Sequence, residues 1–334
     1  MRLTQKPTMR LPIVLCLTLS TSFVFAQGLT LLSNTELADY PEHDVQSLGY
    51  ASDVPTAFSM ERFAPPALAQ NGGTCVGFSA GYCAMSTMWN RATNTTSPIH
   101  KHILCFDPYY NFSILSPGCD QGLTFPRMFE SLASVGNMRD LMPPTLSCDF
   151  EWLNSQGEVD SKLLDYVNAA WPFRIEDYGT IDLNKSNWLD IMRQTLANQI
   201  PVVIGSSVGD DFTNSSYGGN IDADGNYIYR SSEVSNPGGH AMCVLGYDDF
   251  RNSGSFLVRN SWGYGFGDKG NVWIRYADFK SLVSEAWVII PQDWMENIHR
   301  PDDYTMKFQD TADEELLYGR VKGNSATYEG FYAE

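Results

Sequence analysis

The chain has 334 residues, enough for one large domain or two modest ones, and its 43% hydrophobic and 13% aromatic content excludes wholesale disorder. A formal net charge of −17 and a pI near 4.6 argue against a nucleic-acid backbone as partner, because phosphate binding calls for a clustered basic surface.

At the N-terminus Arg2, Lys6 and Arg10 precede an apolar stretch from Leu11 to Phe25, and Val24 and Ala26 supply small residues at its end. A basic region, a short apolar core and a small-residue cleavage site describe a secretory signal peptide over residues 1–26. A membrane anchor is the competing reading; the stretch is short for a span and is interrupted by Pro12 and several Ser and Thr. Residues 27–50 are polar and irregular, and residues 27–52 read as a linker or short pro-segment. Export predicts an extracellular, periplasmic or lumenal protein, with no membrane contact after cleavage.

From Thr74 to about Arg91 the spacing of Val76, Ala80, Cys83, Ala84 and Met88 predicts a helix, with Thr74 as N-cap. Further helices are predicted over about 124–134 and 186–197. The later half changes character: residues 200–204, 242–245, 255–258 and 271–274 are short apolar runs between Gly, Asn and Asp clusters, and these are strands and turns. A helix-rich half followed by a strand-rich half predicts an α+β fold of two subdomains over residues 53–291. Residues 292–334 form an acid-leaning C-terminal extension.

Six cysteines remain after residue 26: Cys75, Cys83, Cys105, Cys119, Cys148 and Cys243. They contain no Cys-x-x-Cys, which argues against a zinc ribbon or a thioredoxin-type site.

Three segments carry chemistry. In Gln70-Asn71-Gly72-Gly73-Thr74-Cys75-Val76 a thiol stands at the first turn of a helix, where unpaired N–H groups favour thiolate over thiol. Gln70 offers an amide donor just upstream, suited to an oxyanion hole together with the Cys75 N–H. In Gly238-Gly239-His240-Ala241-Met242 a histidine opens an apolar strand after a Gly-Gly turn. In Val258-Arg259-Asn260-Ser261-Trp262-Gly263 an asparagine ends a strand, where its side-chain oxygen can hold the remote N–H of His240 while Trp262 shields that bond. The order Cys, His, Asn gives a nucleophile, a base and an orienting group.

These segments resemble those of the papain-like cysteine peptidases. The resemblance covers about 53–291, roughly 70% of the chain. It implies a cleft between two subdomains, and hydrolysis of peptide bonds through a thioester, with Cys75, His240, Asn260 and Gln70 as the catalytic set. No metal or organic cofactor is required. Residues 106–111 and 200–204 also resemble family segments. Gly118, Cys119, Asp120, Gln121 and Gly122 resemble the loop that lines the non-primed substrate subsites, and Gly239 and Trp262 complete the expected substrate-binding set.

There are departures from the family pattern. Gly72-Gly73-Thr74-Cys75-Val76 keeps only the second cysteine of the family signature Cys-Gly-Ser/Ala-Cys-Trp/Tyr. Gln70 lies one residue closer to the cysteine than in papain-type enzymes. His240 follows Cys75 by 165 residues and Asn260 by 185, against roughly 130–150 in the family, which predicts an insertion within about 206–238.

The implied partner is a peptide or protein substrate, with no nucleic acid, and the expected state is a monomer. A catalytically silent peptide-binding protein on the same fold is the alternative, as is a transamidase or exopeptidase. An N- or C-terminal segment plugging the non-primed side would favour the exopeptidase. For disulfides Cys119–Cys148 is the first expectation and Cys105–Cys148 the second, with Cys83 and Cys243 as buried free thiols. Residues 220–227 fit either the opening of a calcium loop or a hairpin turn, and Ser231 at the closing position favours the hairpin. Asn94, Asn111, Asn184 and Asn214 begin N-glycosylation sequons.

Overall fold

The computed structural model describes residues 28–43, 54–116, 118–139, 146–153, 159, 161–209, 212, 221–222, 225, 227–229 and 237–291. The predicted signal peptide, the C-terminal extension and most of the expected insertion lie outside them.

The chain enters through a short helix α1 (Asn34–Leu37), closed by a reciprocal capping box between Ser33 and Glu36, and a strand β1 (Ala57–Ser59). The central helix starts at Cys75. Its stretch Gly77–Ala84 is π-helical and entirely buried, and it continues as α2 (Met85–Ala92). Here one expectation is corrected: Thr74 does not cap the helix with its hydroxyl, which donates backwards to the carbonyl of Asn71 (2.8 Å) and tightens the Gly72-Gly73 turn instead. Helices α3 (Pro98–Ile103) and α4 (Tyr110–Leu115) follow, then α5 (Phe125–Val135). In α5 the Thr124 hydroxyl accepts from the N–H of Arg127, Pro126 sits in the first turn, and Gly136 stops the helix at a φ of 77°.

After α6 (Ser161–Ala170) come β2 (Ile175–Thr180) and α7 (Trp188–Ala197). The rest is β3 (Val202–Val208), β4 (Ile228–Tyr229), β5 (Gly238–Asp248), β6 (Ser255–Arg259), β7 (Asn271–Arg275), α8 (Tyr276–Leu282) and β8 (Val283–Pro291). The eight strands form one sheet in the order β2-β8-β3-β5-β6-β7-β4, with β1 added alongside β5. Neighbours run antiparallel except β4 and β7.

The two-residue period of a strand decides where the core lies. Val203, Ala241, Cys243, Leu245 and Trp287 face the helices and join the cluster built by the central helix, α4 and α5. Their neighbours Val202, Ile204, Met242, Val244 and Val288 point the other way, into a second cluster with Phe256, Val258, Ile274 and Phe279. Each fully buried aliphatic or aromatic side chain contributes about 1.5–3 kcal/mol of transfer free energy. The central helix is thus clamped against one face of the sheet, with Cys75 at its head beside β5. This is the α+β arrangement of two subdomains that the order of elements predicts. Ile221 bridges Tyr227 in antiparallel fashion, and the Asp222 side chain accepts from Arg251 (2.9 Å) and Asn252 (3.1 Å).

Candidate active site

Two loops are zipped together in front of the central helix. Ala69 bridges Trp262, the N–H of Gln70 donates to the carbonyl of Ser261 (2.7 Å), and the N–H of Gly263 donates to that of Leu68 (3.2 Å). The loop that leads to Cys75 is therefore backbone-bonded to the loop that carries Asn260. On the other side the N–H of Gly73 donates to the carbonyl of Cys119 (2.6 Å). Gly72 has a φ of 59°, and a Cβ there would meet the Cys119 carbonyl oxygen at 2.4 Å, so this position requires glycine. Cys119 is joined to Cys148 in the disulfide that was expected first, while Cys105, Cys83 and Cys243 are buried free thiols.

His240 lies on β5 and pairs across to Ser206 on β3. Its Nε2 stands 2.7 Å from Oδ1 of Asn260, which also accepts the N–H of Ser261 (2.7 Å). An amide oxygen can only accept, so Nε2 carries the proton and Nδ1 keeps its lone pair. Nδ1 is buried and has no hydrogen-bond partner among the described residues. The Trp262 ring covers the imidazole with centroids 4.9 Å apart and is itself held edge-on by Phe266 and Phe212. Cys75 lies against the backbone of Ala241, the residue that follows His240.

Gln70 takes part differently from the expectation. Its Nε2 donates to the carbonyl of Gly72 (2.8 Å), and its Oε1 accepts the hydroxyl of Ser261 (2.5 Å). Its short spacing from Cys75 folds the amide back onto its own loop.

The feature that the sequence reading missed is what covers the thiol. Residues 28–32 run through the cleft. The N–H of Leu29 donates to the carbonyl of Gly239 (3.0 Å), the N–H of Thr30 to that of Leu123 (3.0 Å), and the N–H of Leu123 to that of Gly28 (2.9 Å). Leu29 thus forms a parallel bridge with Leu123, next to the Gly118–Gly122 loop, and its side chain is 6% exposed. Glycines make the approach possible: a Cβ on Gly28 would fall 1.7 Å from the Gly73 carbonyl oxygen, and one on Gly239 would fall 2.0 Å from that of Leu29. Further along, the N–H of Leu32 donates to Glu285 (2.5 Å), Tyr40 packs edge-on against Trp287, and the N–H of His43 donates to the carbonyl of Thr180 while that of Thr180 donates to the carbonyl of Pro41 (both 2.8 Å). The apolar run Leu29-Thr30-Leu31-Leu32 was the available signal, and its position in an otherwise polar stretch hid it.

Closure sets the electrostatics, and in this state burial opposes the thiolate that the helix terminus favours. Burial pushes the Cys75 thiol up to about 11, although backbone groups of Ala241, Gly28, Val76 and Cys75 itself oppose the shift. Burial pulls His240 down to about 4, against the bond to Asn260. Desolvation disfavours each charged form, so at neutral pH the closed site holds a neutral thiol and a neutral imidazole. Among the described residues no helix is long and apolar enough to cross a membrane.

Comparison with known proteins places this arrangement. The model of the papain family of cysteine proteases matches residues 65–287. The chain is similar in fold to xylellain, a cysteine protease from Xylella fastidiosa, at 18% identity, covering 79% of this chain and 96% of that one with a TM-score of 0.55. It is likewise similar to procathepsin B from Trypanosoma congolense, at 14% identity, covering 80% and 87% of the two chains with a TM-score of 0.56. Among curated sequences it is 29% identical over 118 residues to an uncharacterized peptidase C1-like protein of Acanthamoeba polyphaga mimivirus. That match spans 34% of this chain and only 36% of the viral protein.

Proposed function

Since the chain belongs to the papain family of cysteine proteases, we propose that it is an exported cysteine peptidase held closed by its own N-terminal segment. The observation that carries the catalytic part is the fixed His240–Asn260 pair beside a thiol at the head of the central helix. The observation that carries the closed state is the extended segment at residues 28–30, which is hydrogen-bonded to the backbone that frames that thiol.

In the open enzyme, water and substrate return to the cleft and the desolvation penalty on both groups falls. His240 Nδ1 then takes the thiol proton, giving a thiolate–imidazolium pair that the helix terminus stabilises. The thiolate attacks the scissile carbonyl, forming the C–S bond. The resulting oxyanion is held by the Cys75 N–H and by the Gln70 amide, which must yield its bond to the Gly72 carbonyl. His240 returns its proton to the leaving amine as the C–N bond breaks. A water activated by the same imidazole then hydrolyses the thioester and frees the acid. Asn260 keeps the imidazole in the tautomer and orientation that these transfers need, and Trp262 excludes water from that bond. Leu123, at the edge of the Gly118–Gly122 loop, and Gly239 offer a substrate the same backbone groups that now bond residues 28–30.

A plug beside the Gly118–Gly122 loop is what an exopeptidase would show, but here Gly28 reaches the thiol itself, so the segment blocks bond cleavage as well as subsites. That favours latency. Cleavage after Ala26 would make Gly28 the second residue of the exported chain, leaving a segment free at one end to peel from the cleft.

The test is hydrolysis of a mixed fluorogenic peptide library between pH 5 and 7. Turnover that appears when the segment is displaced and disappears in Cys75→Ala supports the proposal. Turnover that persists in Cys75→Ala, or none after the segment is displaced, would favour a silent binding protein.

A further inference from the structure

The closing segment rests its side chains on a particular spot of the sheet. Gly205 of β3 and Glu285 of β8 are direct partners across neighbouring strands, so they share one face. Leu29 and Leu31 lie over that spot. A Cβ on Gly205 would meet Leu29 Cδ2 at 2.9 Å, and Glu285 Cβ and Leu31 Cδ2 at 3.1 Å each. The side chain absent at position 205 is thus the space that two leucines fill, with Glu285 at its edge.

Glu285 is out of place in an apolar seat. It is 1% exposed, and among the described residues no cation forms an ion pair with it. Its Oε1 accepts the N–H of Leu32 (2.5 Å) and its Oε2 accepts Nε1 of Trp287 (2.9 Å). Burial raises the carboxyl above its ordinary range against those two bonds, and Glu36 of the segment adds a charge of the same sign. Holding the segment needs only a neutral acceptor for Leu32, and a buried carboxylate without a counter-charge is costly. Beside the seat a cavity of about 470 Å3 separates the segment from the sheet, with Asn34, Leu37 and Tyr40 on one wall and Ser207, Val283 and Glu285 on the other. Lys280 also lines it, but its Nζ stands over the Trp188 ring, 5.7 Å from the centroid. When the segment lifts, the two leucines vacate Gly205, Oε1 loses its donor, and the cavity opens beside both.

Resting on the peptidase reading above, we propose that Glu285 sets the substrate class: peptides that lay the side chain of an arginine or lysine over Gly205, with its cationic head on the Glu285 carboxylate. The cation supplies the donor that Leu32 withdraws and the counter-charge that the closed state lacks. Trp287 keeps the carboxylate aimed by its bond to Oε2. The leucines of the segment fill the seat without pairing that charge, which suits an occupant that must later leave.

The experiment uses the full chain carrying Cys75→Ala, so that nothing is cleaved, and Leu29→Ala, so that the segment yields. Fluorescent tetra-alanine peptides carry arginine, its uncharged isostere citrulline, or leucine at one position in turn, and binding is read by anisotropy. At one position arginine should bind about 10- to 100-fold more tightly than citrulline, the worth of hydrogen bonds to a charged group, and Glu285→Gln should abolish the difference. Equal binding of arginine and citrulline at every position, or tightest binding by leucine, would overturn the proposal. So would a preference that survives Glu285→Gln, which would belong to the net charge of −17. The comparison of arginine with citrulline in the chain that keeps Glu285 decides the matter even where that variant does not fold. Because no bond is broken, this proposal and the nucleophilic role of Cys75 fail separately.

Discussion

Leu29→Ala perturbs the closure of the cleft without touching the groups that would do chemistry. The leucine side chain is almost wholly buried, with Cδ2 lying over Gly205 of β3. Truncation to alanine removes three carbons, which at about 0.8 kcal/mol per buried carbon weakens docking of the segment by about 2 kcal/mol. With about 1.4 kcal/mol for each factor of ten, the fraction of molecules with the segment lifted rises about 30-fold. Cys75 reacts only in those molecules, because in the closed state its thiol is inaccessible and held protonated. The assay is the rate of iodoacetamide alkylation of Cys75 at pH 7.5, followed by mass spectrometry of the Cys75 peptide. The expected rate is about 30 times that of the native chain, while Leu164→Ala, at a side chain 69% exposed, leaves it unchanged. An unchanged rate in a natively folded Leu29→Ala protein would refute the claim that this segment seals the thiol.

Acid should open the cleft. His240 titrates near 4 when closed and near 6.5 when exposed, so the closed state binds fewer protons and closure loses free energy as pH falls from about 6.5 to about 4. Hydrogen-exchange protection of the Leu29 and Thr30 amides, corrected for intrinsic rates, should therefore fall by up to about 300-fold over that window and level off below it. Asn260→Ala leaves the imidazole free to rotate and should lower kcat about 100-fold with little change in KM, measured on a fluorogenic peptide. Replacing Cys119 and Cys148 by alanine opens a loop with a sequence separation of 29 and should cost about 3 kcal/mol, read as a lower urea midpoint. The same change loosens the Cys119 carbonyl that holds Gly73, so Cys75 alkylation should accelerate as well.

Much of this site was legible because local rules and tertiary outcome agree. The apolar runs at 200–204 and 242–245 gave strands whose alternate residues have a core on each side, and those at 255–258 and 271–274 gave strands that turn alternate residues into the second cluster. His240 and Asn260 sit at strand ends, where the glycine-rich flanks place them. Strands β2 and β8 were missed because neither is bounded by the Gly and Asn clusters that mark the others; β8 is entered directly from α8. Thr74 precedes the helix as expected, but its hydroxyl is turned back to donate to the Asn71 carbonyl and not towards the N–H groups of the first turn. Gln70 was identified by type and position, but no pattern in sequence reports that its amide turns onto Gly72. The closure of residues 28–32 was illegible for a different reason: its partners, Leu123, Gly239 and Glu285, come from three distant parts of the chain.

The most direct measurement of the central claim is covalent labelling with an epoxide probe selective for papain-type thiolates, mapped by mass spectrometry at pH 5.5. Labelling confined to Cys75, faster in Leu29→Ala and lost in His240→Ala, is the result that a latent Cys75–His240 peptidase predicts. Absence of label at Cys75 in folded Leu29→Ala protein, or equal labelling without His240, would contradict it.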